Sequence, residues 1–370
     1  MGKLGSARRG VVFAIATTAI VVGGLVAVST SATGVSPKVT TLTLQGAHAY
    51  KPKAPAGATD DYHCTLVNPR VKANSYIVAS QFFPEGVDVH HAILFEVPPG
   101  LAAAAKAADK SGKGWSCFGE SALPGTGLAQ ISNTPWLSAW APGHGRDVLP
   151  KGTGVYLPKG SMVVMQIHYN LLRGDEPVRS KLVLNTVPAS TRLKRLSLDL
   201  LPAPPDIPCP AGVTGPLCDR AASLADLGRR FGQEQVNFVN TIERVCGRNA
   251  DSPPAGDTTS CTWPVGAGHI VRVTAHMHLL GRGMKIVLNP GRADQKTLLN
   301  VTNYNFDYQR SYDLAKPVAT HRGDTVQVTC TYDPTLRQKL PQLRKLPPRF
   351  VTWGDGSSDE MCLALLQSTV

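Results

Sequence analysis

Glycine and proline punctuate this sequence so often that little room is left for long helices. The 35 glycines and 29 prolines break it into short runs. Many of these runs are β-branched or alternate apolar with polar residues, the period of a strand with one buried face. The fold class expected is therefore all-β, with short strands and many turns. Strands are expected at Val39 to Leu44, Ser75 to Phe83, Val87 to Val97, on either side of Pro158-Lys159-Gly160 within Gly152 to Tyr169, and at Lys181 to Val187. A second set is expected at Gln235 to Val245, His269 to Leu280, Lys285 to Leu288, Asp324 to Tyr332, Phe350 to Trp353 and Met361 to Leu366. Residues 101–113 read as a short helix or a loop, 221–232 as a short helix, and Asn249 to Ser260 as a polar loop. A chain of 370 residues exceeds the ~100–200 of one domain. The proline-rich Leu201 to Pro205 marks a change of composition, so the boundary is placed between residues 186 and 202, giving domains at 39–190 and 191–370.

Lys3, Arg8 and Arg9 precede the uncharged Val11 to Val28, and small residues Ser29 to Ala32 follow. This is the three-part pattern of a secretory signal over residues 1–35. An uncleaved membrane anchor through residues 11–28 is the alternative, since ~18 apolar residues is the lower limit for a bilayer span. Either way the chain is read as secreted or held in the cell envelope. Eight dispersed cysteines with no Cys-x-x-Cys suit disulfides in an oxidising compartment. Cys209 and Cys218, and Cys246 and Cys261, are near enough in sequence to pair. The formal charge of +12 is scattered. Its densest run, Arg337 to Arg349, is broken by prolines and lacks interleaved aromatic residues, so it reads as a solvated loop and no nucleic-acid partner is expected.

The chemistry concentrates in histidines. In His276-Met277-His278, strand alternation puts Val271, Val273, Ala275, Met277 and Leu279 on an apolar face and Arg272, Thr274, His276 and His278 on the other. Two imidazoles one residue apart on one face can grip one ion; a pair of exposed histidines is the plainer reading. Gln166, His168 and Asn170 end the polar face of their strand, where a lone histidine has a structural role as its plainer reading. His90 and His91 are neighbours, so both reach one ion only if the strand bulges there. Met361 offers a soft thioether, which with imidazoles favours Cu(I). A histidine-rich set without carboxylate suits copper, with zinc the alternative for three histidines. Asp359 and Glu360 read as turn and strand-entry residues.

Six stretches, in order, carry a resemblance: Asp61-Tyr62-His63-Cys64; His90-His91-Ala92-Ile93-Leu94-Phe95; Ala139-Trp140-Ala141-Pro142 with Leu149-Pro150-Lys151-Gly152; Gln166-Ile167-His168-Tyr169; His276-Met277-His278-Leu279 with Gly281; and Ser357-Ser358-Asp359-Glu360-Met361-Cys362. Together the chain resembles the copper type II ascorbate-dependent monooxygenases, the family of peptidylglycine α-hydroxylating monooxygenase and dopamine β-monooxygenase. The resemblance implies two tandem jelly-roll β-sandwich domains with a copper site in each, facing an interdomain cleft. His90, His91 and His168 match the electron-transfer copper, and His276, His278 and Met361 the oxygen-binding copper, two coppers per chain. Tyr62 and Gln166 match residues beside the first site. It implies pairing of Cys64 with Cys117 and of Cys330 with Cys362. It also implies an oxidoreductase that hydroxylates an activated C–H bond of a small molecule with O2 and a reductant such as ascorbate. A non-catalytic copper-binding or copper-delivery protein is the second reading. Where the peptide hydroxylase has an arginine and polar residues for its substrate carboxylate, this chain has Thr274, Leu363 and Leu365. The apolar Leu363 to Leu366 wall points either to a less polar substrate or to a strand packed in the core.

Overall fold

The computed structural model describes residues 37–119, 121–123 and 135–369; the expected leader, residues 1–35 with its apolar run 11–28, lies outside them. Among the described residues no helix is long and apolar enough to cross a membrane.

Alternating strands build two face-to-face sheet pairs. In the first half, Thr40–Gln45, Lys181–Pro188, Ser75–Phe83 and Thr153–Leu157 pair in that order. Opposite lie Trp115–Ser116, Asp60–Val67, Met162–Asn170, Val89–Val97 and Trp136–Trp140. Leu44, Ile77, Phe82, Leu157 and Leu184 from one sheet meet Leu94, Val163, Met165 and Ile167 from the other in one buried cluster. Each such side chain contributes roughly 1.5–3 kcal/mol by leaving water.

In the second half, Lys194–Pro202, Cys362–Thr369, Gly268–Met277 and Ser311–Thr320 form one sheet, and Thr258–Pro264, Thr325–Tyr332, Gly281–Leu288 and Lys296–Val301 the other. Ile270, Val273, Ala275, Ala364 and Leu366 pack there against Met284, Ile286, Leu288, Val326 and Val328. A parallel pairing, Lys194 with Thr153 and Arg195 with Gly154, joins a sheet of the first half to one of the second.

Most expected strands form within a residue or two of their expected bounds. Gln235 to Val245 does not: it is the helix Gln233–Val245, following the helix Arg220–Phe231 across Gly232. Its buried positions are Gln235, Val239, Ile242 and Glu243, spaced as one helical face. The β-branched residues between polar ones disguised that period. The strands Asp60–Val67, Trp136–Trp140, Lys194–Pro202 and Ser311–Thr320 were not expected, and Thr258–Pro264 overlaps the end of the expected loop. All four anticipated disulfides are present: Cys64–Cys117, Cys209–Cys218, Cys246–Cys261 and Cys330–Cys362. The basic run needs correction at its ends. Arg337 and Arg349 are 5% and 6% exposed, because buried acidic and carbonyl groups draw their guanidinium groups inward.

Candidate metal centre

The strand Val89–Val97 shifts register against Met162–Asn170 between Val89 and His91. This bulge turns both neighbours, His90 and His91, toward His168, the cross-strand partner of His91. The ligand nitrogens of the three lie within 4.8 Å of one another. His168 Nε2 donates to Asp60 Oδ1 at 2.9 Å, which leaves Nδ1 as its ligating atom. Both ring nitrogens of His90, and Nδ1 of His91 and His168, are buried without a hydrogen-bond partner. Buried polar atoms are normally satisfied, so the one lone pair that each of these neutral rings offers fits a metal ion. Tyr62 stacks on His168 at 4.2 Å between ring centroids and donates its hydroxyl to the carbonyl of Asp355 at 2.9 Å. Gln166 is buried and donates through Nε2 to the Cys117 carbonyl at 3.0 Å.

The second set sits at the end of the strand Gly268–Met277. Val273, Ala275 and Met277 are buried in the core as alternation requires. His276 points the other way, and its Nδ1 donates to Gln309 Oε1 at 2.6 Å. The Gln309 amide is held in that sense because its Nε2 donates to the Phe306 carbonyl, so His276 keeps Nε2 as the free lone pair. Both nitrogens of His278 are buried and unpartnered, and its ring lies 5.3 Å from that of His276. Met361 and His276 line one cavity of about 500 Å3, together with His91, Tyr62 and Gln166. The two histidine sets adjoin. His91 and His276 are 6.0 Å apart between ring centroids, and Phe306 of the second half stacks on His90 at 4.1 Å.

The loop Gly354 to Met361 ties the sets together. Ser357 Oγ donates to Asp60 Oδ1 at 2.6 Å, the oxygen that holds His168. Glu360 accepts from the backbone N–H groups of His278, Leu280 and Met361 at 2.9, 2.6 and 3.1 Å. Asp359 takes both terminal nitrogens of Arg230 at 2.6 and 2.7 Å, and Arg337 donates to the Ser358 carbonyl. Gly354 leaves room for this network: a Cβ there would lie 2.8 Å from Leu227 and 2.9 Å from Asp359. Asp359 and Glu360 are thus more than turn residues; they are buried anchors of the loop that carries Met361. Asp60, Ser357 and Gln309 escaped sequence reading. Asp60 shares the strand face of Tyr62 two residues on, which was a usable signal; Ser357 and Gln309 carried none that singles out their roles.

Burial holds the imidazoles of His90, His91 and His168 well below the usual histidine range, and the neighbouring rings push the same way. Burial likewise lowers His276 to about 4 and His278 to about 3. All five rings are therefore neutral at pH 7, the form that binds metals. Burial pushes Asp359 up, but Arg230, Arg349 and Arg337 outweigh it and hold the carboxylate ionised. Because Asp60 fixes the tautomer of His168, Asp60→Ala is expected to weaken metal binding at the first set roughly 10–100-fold, as loss of such an orienting partner does. Competitive copper titration against a chelator checks this; unchanged affinity would show that Asp60 does not orient the ring.

The class defined by this fold and site is an all-β protein with a buried, multi-histidine centre suited to a transition metal. Residues 255–367 match the family model described as copper type II ascorbate-dependent monooxygenase, C-terminal domain. The matched segment contains His276, His278 and Met361. Among solved structures, an allantoicase aligns at 9% identity over 80% of this chain and 86% of its own, with a TM-score of 0.20. A fucolectin from Morone saxatilis serum aligns at 8% identity over 83% and 85%, with a TM-score of 0.19. Alignments this weak carry no argument about fold or function.

Proposed function

We propose that the chain is a copper monooxygenase of two tandem jelly-roll domains, 39–190 and 191–370, that hydroxylates an activated C–H bond of a small, apolar substrate. The observation that carries the reading is the meeting of five neutral imidazoles from both halves, His90, His168 and His278 buried and His91 and His276 lining one cavity that Met361 also lines. His90, His91 and His168 would hold one copper, and His276, His278 and Met361 the other. Copper bound there would supply the one-electron chemistry that O2 reduction needs. The reaction balances as substrate C–H plus O2, two electrons and two protons giving C–OH and water, with two ascorbates each furnishing one electron.

The protein's own groups have separate tasks. Asp60 and Gln309 each hold a proton on the non-ligating nitrogen of a histidine. Glu360 clamps the turn after His276. Tyr62 fixes the loop Gly354 to Met361 over the first set, and the apolar walls of the cavity exclude water from the reacting carbon. Four disulfides fit a secreted or cell-envelope protein.

Ascorbate-driven O2 consumption, measured with phenethylamines, glycine-extended peptides and apolar compounds, tests turnover. Met361→Ala is expected to abolish coupled consumption while the three-histidine set keeps its metal. Copper binding without turnover of any compound would favour the sequestering or delivery protein instead, and turnover that survives Met361→Ala would remove that residue's role.

A further inference from the structure

Three adjacent strands tile the floor of the cavity beside His276, and their register can be read as rows. Leu198, Gln367 and Arg272 form the first row, Leu200, Leu365 and Thr274 the second, and Pro202, Leu363 and His276 the third. All nine line the cavity, and Met361 follows the third row. The wall therefore divides by alternation: Leu363 and Leu365 face the cavity while Ala364 and Leu366 are buried in the core. From the first row to the third is four residues, roughly 13 Å of strand. Trp136, Leu137, Trp140, Phe231 and Phe238 are among the other lining residues.

The far row decides what can bind. Arg272 donates to Asp313 and to Asp147, the latter at 2.8 Å, and to the Val148 carbonyl at 2.7 Å. Two carboxylates thus neutralise it, and among the described residues no other Arg or Lys lines the cavity. A substrate carboxylate would be desolvated there without an uncommitted cation, a large penalty. Beside Arg272, Gln367 Oε1 is buried and has no donor. An orphaned acceptor at the end of an apolar slot calls for one hydrogen-bond donor from the ligand.

We propose that the cavity takes an elongated apolar molecule without an anionic group that carries one hydrogen-bond donor, such as a hydroxyl, seated against Gln367. Its apolar end lies about 13 Å away, at His276 and Met361. The orientation rests on the monooxygenase reading; the binding preference does not.

Binding to the metal-free protein tests it, read by quenching of tryptophan fluorescence, since Trp136, Trp140 and Trp353 line the cavity. The probes are 1-decanol, decane and decanoate. Decanol is expected to bind tightest, with decanoate at least tenfold weaker. Gln367→Leu should bring decanol down to the affinity of decane and leave decane unchanged. Equal or tighter binding of decanoate, failure of decanol to bind, or a decanol preference that survives Gln367→Leu in a folded variant overturns the proposal. The wild-type series decides the charge preference even if the variant does not fold. Copper content and O2 consumption, measured separately on the metal-loaded protein, report failure of the monooxygenase reading.

Discussion

On the proposed two-copper reading, His168→Ala is expected to lower the copper content from two per chain to one. The ring is fully buried, held by Asp60 through Nε2 and stacked on Tyr62, so Nδ1 has no freedom to be replaced by another donor. Its loss leaves two imidazoles and a gap beside Tyr62. Removing an orienting partner alone costs roughly 10–100-fold in metal affinity, and removing the ligand costs more. His276, His278 and Met361 are untouched, so the second copper should stay, and His278→Ala should give the reciprocal result. Metal analysis of both variants after dialysis checks this. Zinc in place of copper, or one metal in the unaltered protein, would sink the two-site scheme. Loss of both metals from either variant would mean that the adjoining sets act as one centre.

The largest expected effect on stability is that of Asp359→Ala, about 3–5 kcal/mol. Asp359 is 3% exposed and faces Arg230 and Arg349, which are 4% and 6% exposed. Removing the carboxylate leaves two buried guanidinium groups sharing only Asp226, which Arg230 Nε reaches at 2.7 Å and Arg349 at 2.9 Å. Breaking one partner of such a network is far costlier than never having built it, because an uncompensated charge stays behind. The damage also reaches the site, since Asp359 anchors the loop that carries Glu360 and Met361. Denaturant unfolding of the metal-free protein measures the loss. A change below about 1 kcal/mol, the scale of an exposed pair, would show that the guanidinium groups relax to water.

The sequence revealed what depends on local period. Alternation placed Val273, Ala275 and Met277 in the core and His276 opposite, and the adjacency of His90 and His91 demanded the bulge that the strand contains. Disulfide partners close in sequence were equally accessible. Hidden from it were groups whose roles arise only from distant pairing. Asp60 meets Ser357 across 297 residues, and Gln309 meets His276 across 33. Arg349 sits in a proline-broken basic stretch that looks solvated until Asp226 and Asp359 fold against it. The helix Gln233–Val245 reads as a strand in sequence because its buried Gln235 and Glu243 are polar, so the hydrophobic period alone understates the inward face.

The cavity that His91, His276 and Met361 share has a kinetic consequence. His90 and His168 are 2% and 0% exposed, and the loop Gly354 to Met361 closes over the first set through Tyr62 and Asp60. His91, by contrast, lines the cavity, as do His276 and Met361. The cavity is thus a route by which a solute would reach His91, His276 and Met361. On the copper reading, a molecule lodged in it would also stopper the metal sites, so stripping by a chelator should slow as the cavity fills.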